Sequence, residues 1–205
     1  MNLRLLSLPV ILLSLGVCTF DAQAATIYSG LQDFAIPLNF NGIYLDLDTG
    51  ASVGASFAGW DVNMFFGGAG IANGSDFQPA RTGTANLDAI ITLSLGSTVD
   101  NSLNFSTGFG GSGNPNPHLG SGTGQFGVGS EGYLGFKWTT NVGAGPFFGW
   151  MRVTLTNNTG APMLHDWAYE NAGAPIKVGQ TPEPGSGLLI LTGTLAVALH
   201  RRRSR

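Results

Sequence analysis

The chain has 205 residues, of which 32 are glycine, 43% are hydrophobic and only 10% are charged. This length suggests one ordinary domain with extra segments at its ends, and abundant glycine with little charge favours an all-β fold with long loops over a helical one. The interval 25–181 carries four basic residues against ten acidic ones, a net charge of about −6 that argues against nucleic acid as a partner.

The N-terminal segment, residues 1–24, has the three-part pattern of a secretory signal peptide. Arg4 supplies a positive start, and the apolar run Leu5–Val17 follows it. Ala22 and Ala24 then fit the small-x-small pattern of a cleavage site. We therefore predict export and cleavage after Ala24.

The only cysteine, Cys18, belongs to this predicted signal peptide. The mature protein is therefore expected to contain no disulfide, no catalytic cysteine and no cysteine-based metal site. The predicted extracellular domain, residues 25–180, must then be stabilised by its core alone. A domain of this size can bury about two-thirds of the surface of its unfolded chain.

Several segments of this domain alternate between apolar and polar side chains, the pattern of half-buried β-strands. In chain order they are Gly42–Asp48, Leu87–Leu95, Gly132–Thr140, Phe147–Asn157 and Met163–Asn171. Turns rich in glycine, proline and asparagine separate the last three, which predicts an antiparallel meander, closed by residues 176–178. We expect an antiparallel β-sandwich with Gly-rich loops at 67–74 and 107–132, and a jelly roll is one candidate topology.

The alternation also predicts which side chains share a face. The apolar faces of the first four segments are Ile43, Leu45 and Leu47; Leu87, Ala89, Ile91, Leu93 and Leu95; Leu134, Phe136 and Trp138; and Phe147, Met151, Val153 and Leu155. In the last segment Trp167 and Tyr169 oppose Asp166 and Glu170.

Carboxylates in and near the first strand offer two interpretations. Asp48-Thr49-Gly50 looks like the Asp-Thr-Gly of aspartic proteases, but their chemistry needs two such carboxylates, so a strand followed by a turn is the competing explanation. Asp46, Asp48 and Asp61 are also hard oxygen donors and weak candidates for a Ca²⁺ site. The chain has no EF-hand spacing, and solvated strand faces are the alternative.

Histidine provides no metal signature. His118 lies in a loop rich in proline and asparagine and His165 in a predicted strand, and two separate histidines do not form a zinc motif. Serine–histidine–aspartate catalysis is compatible with the spacing, but no G-x-S-x-G motif is present. We expect no cofactor other than calcium.

Two aromatic residues stand on an otherwise polar strand face. Phe148 and Trp150 alternate with the predicted core residues of their strand, on the side of Arg152 and Thr154. Exposed aromatic rings beside polar side chains bind glycans, so these two are our candidate glycan contacts. The competing explanation is a second buried face between two sheets.

The C-terminal segment, residues 181–205, contains a predicted membrane segment at 185–200. Its apolar run Gly187–Leu199 would span roughly 20 Å as a helix, against roughly 30 Å for a hydrocarbon core. The arginines behind it can snorkel, and their charge predicts a cytoplasmic end. The exported domain would then lie outside the cell membrane.

This tail resembles the PEP-CTERM sorting signal of exported proteins in Gram-negative bacteria that make exopolysaccharide. The resemblance rests on three parts in order: Pro182, Glu183 and Pro184, then the apolar segment, then Arg201, Arg202, Arg203 and Arg205. It implies recognition by exosortase, a membrane protease that cuts near the motif. As in a GPI signal, the hydrophobic tail would be an address that is removed.

Short blocks of the domain also resemble a recurrent class of PEP-CTERM ectodomains. They are Gly59–Asn63, Gly132–Phe136, Phe148–Val153 and Asp166–Glu170. This second resemblance implies an extracellular β domain and no particular activity.

The sequence leads to one main hypothesis and two alternatives. The main one is a non-enzymatic surface or extracellular-matrix protein, sorted by exosortase from an inner-membrane intermediate and associated with exopolysaccharide or biofilm. The first alternative is a lectin-like, glycan-binding module. The second, an enzyme acting on glycans or peptides, would need carboxylates such as Asp48, Asp61 and Asp166 to converge.

Overall fold

The computed structural model describes residues 25–86, 88–106 and 118–182. The predicted signal peptide and the predicted membrane segment lie outside these residues. Within them no helix is long and apolar enough to cross a membrane. The described chain is all-β with antiparallel pairing, and its one helical element is a 3₁₀ turn at Phe66–Gly68.

Fourteen strands make up the described part of the chain, and most of them are short. They are β1 (Thr26–Tyr28), β2 (Phe34–Ala35), β3 (Ile43–Leu45), β4 (Ser52–Val53), β5 (Val62–Phe65), β6 (Gly70–Asn73), β7 (Phe77–Arg81), β8 (Thr92–Leu93), β9 (Thr98–Val99), β10 (Asn104–Phe105), β11 (Glu131–Trp138), β12 (Phe147–Thr154), β13 (Met163–Glu170) and β14 (Ile176–Lys177).

The strands form three sheets. The large sheet has the order β1-β13-β12-β11-β7-β10, with β2 paired to β13 and β8 paired to β11. A four-stranded sheet has the order β4-β3-β5-β6, and β9 and β14 form a two-stranded ribbon. The consecutive pairing of β11, β12 and β13 confirms the predicted meander.

The main core lies between the large sheet and the four-stranded sheet. Ile43, Leu45 and Met64 from the small sheet share one buried cluster with Phe136 and Met151 from the large sheet. This arrangement of two facing antiparallel sheets is consistent with a β-sandwich. The predicted apolar faces of β3, β11 and β12 are confirmed, because their side chains belong to this cluster.

A second cluster covers the opposite face of the large sheet. It joins Phe148, Trp150 and Ala168 of the sheet to Val99 and Ile176 of the ribbon. The central strands are therefore buried on both faces. Such strands carry apolar side chains at successive positions, as Phe147 to Met151 do.

Three sequence predictions need correction. The predicted strand Leu87–Leu95, of which Leu87 lies outside the described residues, is not one alternating strand from residue 88 on: its strand β8 has only two residues, Ile90 is fully buried, and Leu95 is 70% exposed. Residues 176–178 do not close the meander but pair with β9 in the ribbon. The Gly-rich stretch 67–74 contains strand β6 rather than forming a loop throughout.

A bulge in β13 decides which side chains of that strand reach the core. Val153 pairs with Leu164 and Arg152 pairs with Asp166, so His165 is an extra residue in β13. Because of this insertion, Leu164 and Trp167 both belong to the main core although they are three positions apart. Asp166 points to the opposite face, where it meets Arg152.

Candidate functional site

The two candidate glycan contacts are both buried in the second cluster. Phe148 is 3% exposed and Trp150 is 2% exposed. The ring of Trp150 lies between Tyr28 and Tyr133, with centroid distances of 6.3 and 5.8 Å, and its Nε1 donates to the carbonyl oxygen of Gln180 at 3.2 Å. The expectation of two exposed rings is therefore corrected: the ribbon covers this face, as the competing explanation proposed.

Phe148 nevertheless lines a surface cleft at the start of β12. The cleft has a volume of about 370 Å³ and is formed by Asn101, residues 145–148 and residues 171–173. None of these residues is charged. Phe148 contributes the apolar floor, and its ring packs on Phe105 with a centroid distance of 6.1 Å.

One wall of the cleft is the turn after β13, and a buried carboxylate fixes it. The two carboxylate oxygens of Glu170 accept hydrogen bonds from the backbone N–H groups of Ala172 and Ala174. Glu170 as a whole residue is only 3% exposed. The two backbone hydrogen bonds therefore replace the hydrogen bonds to water that the carboxylate loses on burial. The turn is thus held in one conformation before any ligand arrives.

Sequence reasoning missed the two amide side chains of the cleft, Asn101 and Asn171. Both are exposed residues in turns, one after β9 and the other after β13. Asparagine is ordinary in turns, so neither residue attracts attention in the sequence. Only the docking of the ribbon on the large sheet brings these two turns to one cleft.

A second set of accessible aromatic rings lies at the four-stranded sheet. Tyr44 and Trp60 are half-buried and pack edge to face with a centroid distance of 5.1 Å. Phe40 is 72% exposed and contacts Phe65 and Phe66. Among these rings Phe40 is the one that is mostly exposed, while Tyr44 and Trp60 are covered in part by each other.

The structure places the three weak calcium candidates near one another, but their oxygens hold backbone groups. Asp46 Oδ1 accepts from the N–H of Asp48, and Asp48 Oδ2 accepts from the N–H of Asn141, both at 2.8 Å. Gly50 N donates to Asp46 O with φ +71°, so Asp48-Thr49-Gly50 forms a turn. Within the described residues, no group of three or more His, Cys, Asp or Glu side chains is placed to hold a metal ion.

Asp61 is a buried acid with a raised pKa. Its carboxylate accepts from the N–H of Leu47 at 2.7 Å and from Nε1 of Trp138 at 2.9 Å. Burial raises the pKa of Asp61 to about 7, although these two donors lower it, and the negative charges of Asp46 and Asp48 raise it further. The group joins the two sheets through Trp138, which is a structural role.

Asp166 lies on the other face of the large sheet, away from Asp48 and Asp61. Arg152 donates to both of its oxygens, with Nε–Oδ1 and Nη2–Oδ2 distances of 3.0 and 2.7 Å, and the Tyr28 hydroxyl donates to Oδ2 at 2.9 Å. The hydrogen bonds to Asp166 raise the pKa of Arg152. The structure therefore does not bring together the three carboxylates that an enzyme would need.

The two histidines within the described residues make different kinds of contact. His118 is fully buried with its Nε2 2.9 Å from the Gly68 carbonyl oxygen, and burial lowers its pKa. His165, the bulge residue, lies between two polar groups: Nδ1 is 2.7 Å from Asp33 Oδ1 and Nε2 is 2.9 Å from Thr154 Oγ1. The N–H groups of Gln32 and Asp33 donate to the His165 carbonyl oxygen, so these contacts attach the β1–β2 loop to β13.

Most predicted sorting residues lie outside the described part of the chain. Of Ala22, Ala24, Pro182, Glu183, Pro184, Arg201, Arg202, Arg203 and Arg205, the structure describes only Pro182, which is exposed. No protein-family model, curated protein or solved structure matches this chain. The geometry of the domain and the sequence of its two ends are therefore the basis of the functional argument.

Proposed function

We propose that this protein is an exported surface or extracellular-matrix protein, sorted by an exosortase and associated with exopolysaccharide, with no catalytic activity of its own. The observation that carries the proposal is the sequence of residues 181–205, which contains in this order a Pro-Glu-Pro motif, an apolar segment and four arginines. The proposal includes the signal peptide at 1–24, a membrane helix at 185–200 before processing, and the jelly-roll variant of the sandwich.

The positions of the two ends of the domain support this proposal. Ala25 N donates to Asn171 Oδ1 at 3.1 Å, and Gln180 Nε2 donates to Thr26 Oγ1 at 3.0 Å. The first described residues of the domain and Gln180 near its end are therefore adjacent. A folded domain attached at this end would stand on the outer side of the membrane.

The described start of the segment that an exosortase would have to reach, Thr181 and Pro182, is accessible. Gln180 is the last residue held by the domain, through its hydrogen bonds to Thr26 and Trp150. Thr181 and Pro182 follow it and are exposed. Proline also favours an extended backbone before it, the conformation in which proteases bind their substrates. Cleavage here would leave the folded domain intact.

Intact mass of the protein from its native host tests the proposal. We expect a mass that begins at Ala25 and ends within residues 181–184, and a full-length C-terminus when the exosortase gene is deleted. Substitution of Glu183 and Pro184 by alanine should also block processing, whereas Asn157→Ala should not. An unchanged tail mass in the exosortase deletion would refute sorting by that enzyme.

A second candidate function, a glycan-binding module, is favoured by the cleft at Phe148. Its lining combines an apolar floor with exposed amide groups and carries no charge. Co-sedimentation of the full chain with exopolysaccharide isolated from the host tests this function. We expect retention by the polysaccharide, and no retention would contradict it.

A further inference from the structure

The cleft at the start of β12 is specific enough to name a class of ligand. We propose that it binds one neutral saccharide unit of a glycan, with Asn101 and Asn171 as hydrogen-bonding residues and Pro146 and Phe148 as the apolar wall and floor. This inference rests on the glycan-binding function proposed above. The proposed hydrogen-bonding contacts are thus Asn101 and Asn171, which sequence reasoning did not select, instead of Trp150, which the ribbon covers.

The chemistry of the lining favours a neutral ligand with hydroxyl groups. A sugar hydroxyl both donates and accepts hydrogen bonds, and the amide of Asn101 offers both roles as well. Asn171 Oδ1 already accepts from Ala25 N, so this residue contributes chiefly its Nδ2 donor. In the full chain, where Ala25 N is an uncharged peptide nitrogen, the cleft contains no charged lining residue that would pair with a carboxylate or sulfate. Two acids are neighbours in sequence of the lining asparagines: Glu170 uses both oxygens on backbone N–H groups, and Asp100 Oδ1 accepts from the N–H of Ser102 at 2.8 Å.

The apolar part of the cleft suits the C–H surface of a sugar ring. Pro146 and Phe147 line it, and Phe147 is only half-buried. Phe148 lies deeper and packs against Phe105, whose ring also contacts Lys137, with Nζ 5.3 Å from the ring centroid. Phe148 therefore forms the floor of the cleft and does not present an exposed ring face on which a sugar could stack.

The walls are held in place before binding, which lowers the entropic cost of association. Glu170 fixes the turn 171–174. Asn171 is also tied to the start of β1, because its N–H donates to the Ala25 carbonyl oxygen at 3.2 Å while its Oδ1 accepts from Ala25 N. The volume of about 370 Å³ is at the small end of ligand sites, which fits one ring rather than a long chain segment.

The test is an NMR titration of the full chain in a sugar-free detergent with glucose, galactose, mannose, N-acetylglucosamine and glucuronate. We expect saturable binding of at least one neutral sugar and weaker binding of glucuronate. Asn101→Ala should weaken the neutral sugar about 3- to 10-fold, the loss of one hydrogen bond. Asn157→Ala removes an exposed amide beyond the opposite end of β12 and should leave the affinity unchanged.

A variant that fills the cleft provides an independent check. Ala172 is exposed and lines the cleft, so Ala172→Trp should abolish sugar binding while the urea midpoint of the protein stays within its wild-type range. Failure of every neutral sugar to bind, or wild-type affinity in both variants, would overturn the assignment. If both variants still bind host exopolysaccharide as the wild type does, the glycan-binding function stands and the cleft assignment fails.

Discussion

Asp61 shows most directly how burial changes the behaviour of a single residue. Its side chain is buried between the two sheets and receives two N–H donors, yet burial dominates and raises its pKa to about 7. From the sequence alone, Asp61 is a weak candidate ligand for Ca²⁺. The neighbours that assign it a structural role, Leu47 and Trp138, are 14 and 77 positions away.

The raised pKa of Asp61 predicts a pH-dependent stability. Between about pH 4 and pH 7 the folded protein holds a proton that the unfolded chain has lost, so the free energy of unfolding falls as the pH rises. This contribution amounts to at most about 4 kcal/mol over that window. Urea unfolding at pH 4, 5.5 and 7 measures it. Asp61→Asn should flatten the profile, and exposed Asp76→Asn should not; an unchanged slope in Asp61→Asn would contradict the assignment.

The two ion pairs of Arg152, with Asp166 and with Glu131, are expected to contribute differently to the free energy of unfolding. Asp166 is buried, so Arg152→Met leaves its charge without the bidentate partner and should cost about 2–4 kcal/mol of unfolding free energy. Arg152 also contacts Glu131 at 3.2 Å, but that carboxylate is exposed. Glu131→Gln should therefore change the stability by less than about 1 kcal/mol. Urea denaturation of both variants checks the expected order, and a reversed order would contradict it.

At the level of elements, the close contact of β11, β12 and β13 depends on a glycine. A Cβ atom at Gly149 would lie 2.1 Å from the Phe136 ring and 2.6 Å from the Ala168 carbonyl oxygen. The ring fills the space that the missing side chain leaves in the main core.

Gly149→Ala should therefore destabilise the protein by about 2–3 kcal/mol, because the ring and the neighbouring backbone must move. Gly54→Ala is the matched control, since a Cβ there meets only the Gly42 carbonyl oxygen, at 3.9 Å. Thermal unfolding of both variants gives the comparison. Equal melting temperatures would show that the sheet absorbs the added carbon without strain.

The elements also show where sequence patterns succeed and fail. The faces of β11 and β12 could be predicted because each strand has eight residues and a buried layer that enforces the period of two. Leu87–Leu95 has an equally clear alternation but was assigned wrongly. There the chain makes a bridge at Ile90 and a strand of only two residues, so side-chain direction follows local turns rather than one extended strand.

For the whole molecule, the ribbon and Gln180 connect the C-terminal end of the domain to its first strand. Ile176 and Val178 are buried in the second cluster, and Gln180 binds both Thr26 and Trp150. The residues after Gln180 make no comparable contribution in the described part of the chain.

Two truncations test this boundary. A chain ending at Gln180 should keep the unfolding free energy of the full chain, because the two described residues that follow Gln180, Thr181 and Pro182, are exposed. A chain ending at Ala174 should lose several kcal/mol, since burial of an aliphatic side chain contributes about 1.5–3 kcal/mol and both Ile176 and Val178 are removed. Urea unfolding compares the two, and equal stabilities would contradict the role of the ribbon.

The sequence by itself determined the all-β class and the meander of its three long strands, and the sorting signals at both ends remain its predictions. These features depend on local composition and on a period of two residues, and both can be recognised in a sequence without knowing which residues contact each other in the fold. The tertiary structure decided what covers each face. Trp150 is buried because a distant ribbon docks on it, and Asn101 and Asn171 meet at one cleft because that same docking brings their turns together. Such long-range contacts depend on the packing of whole sheets, which no local pattern encodes.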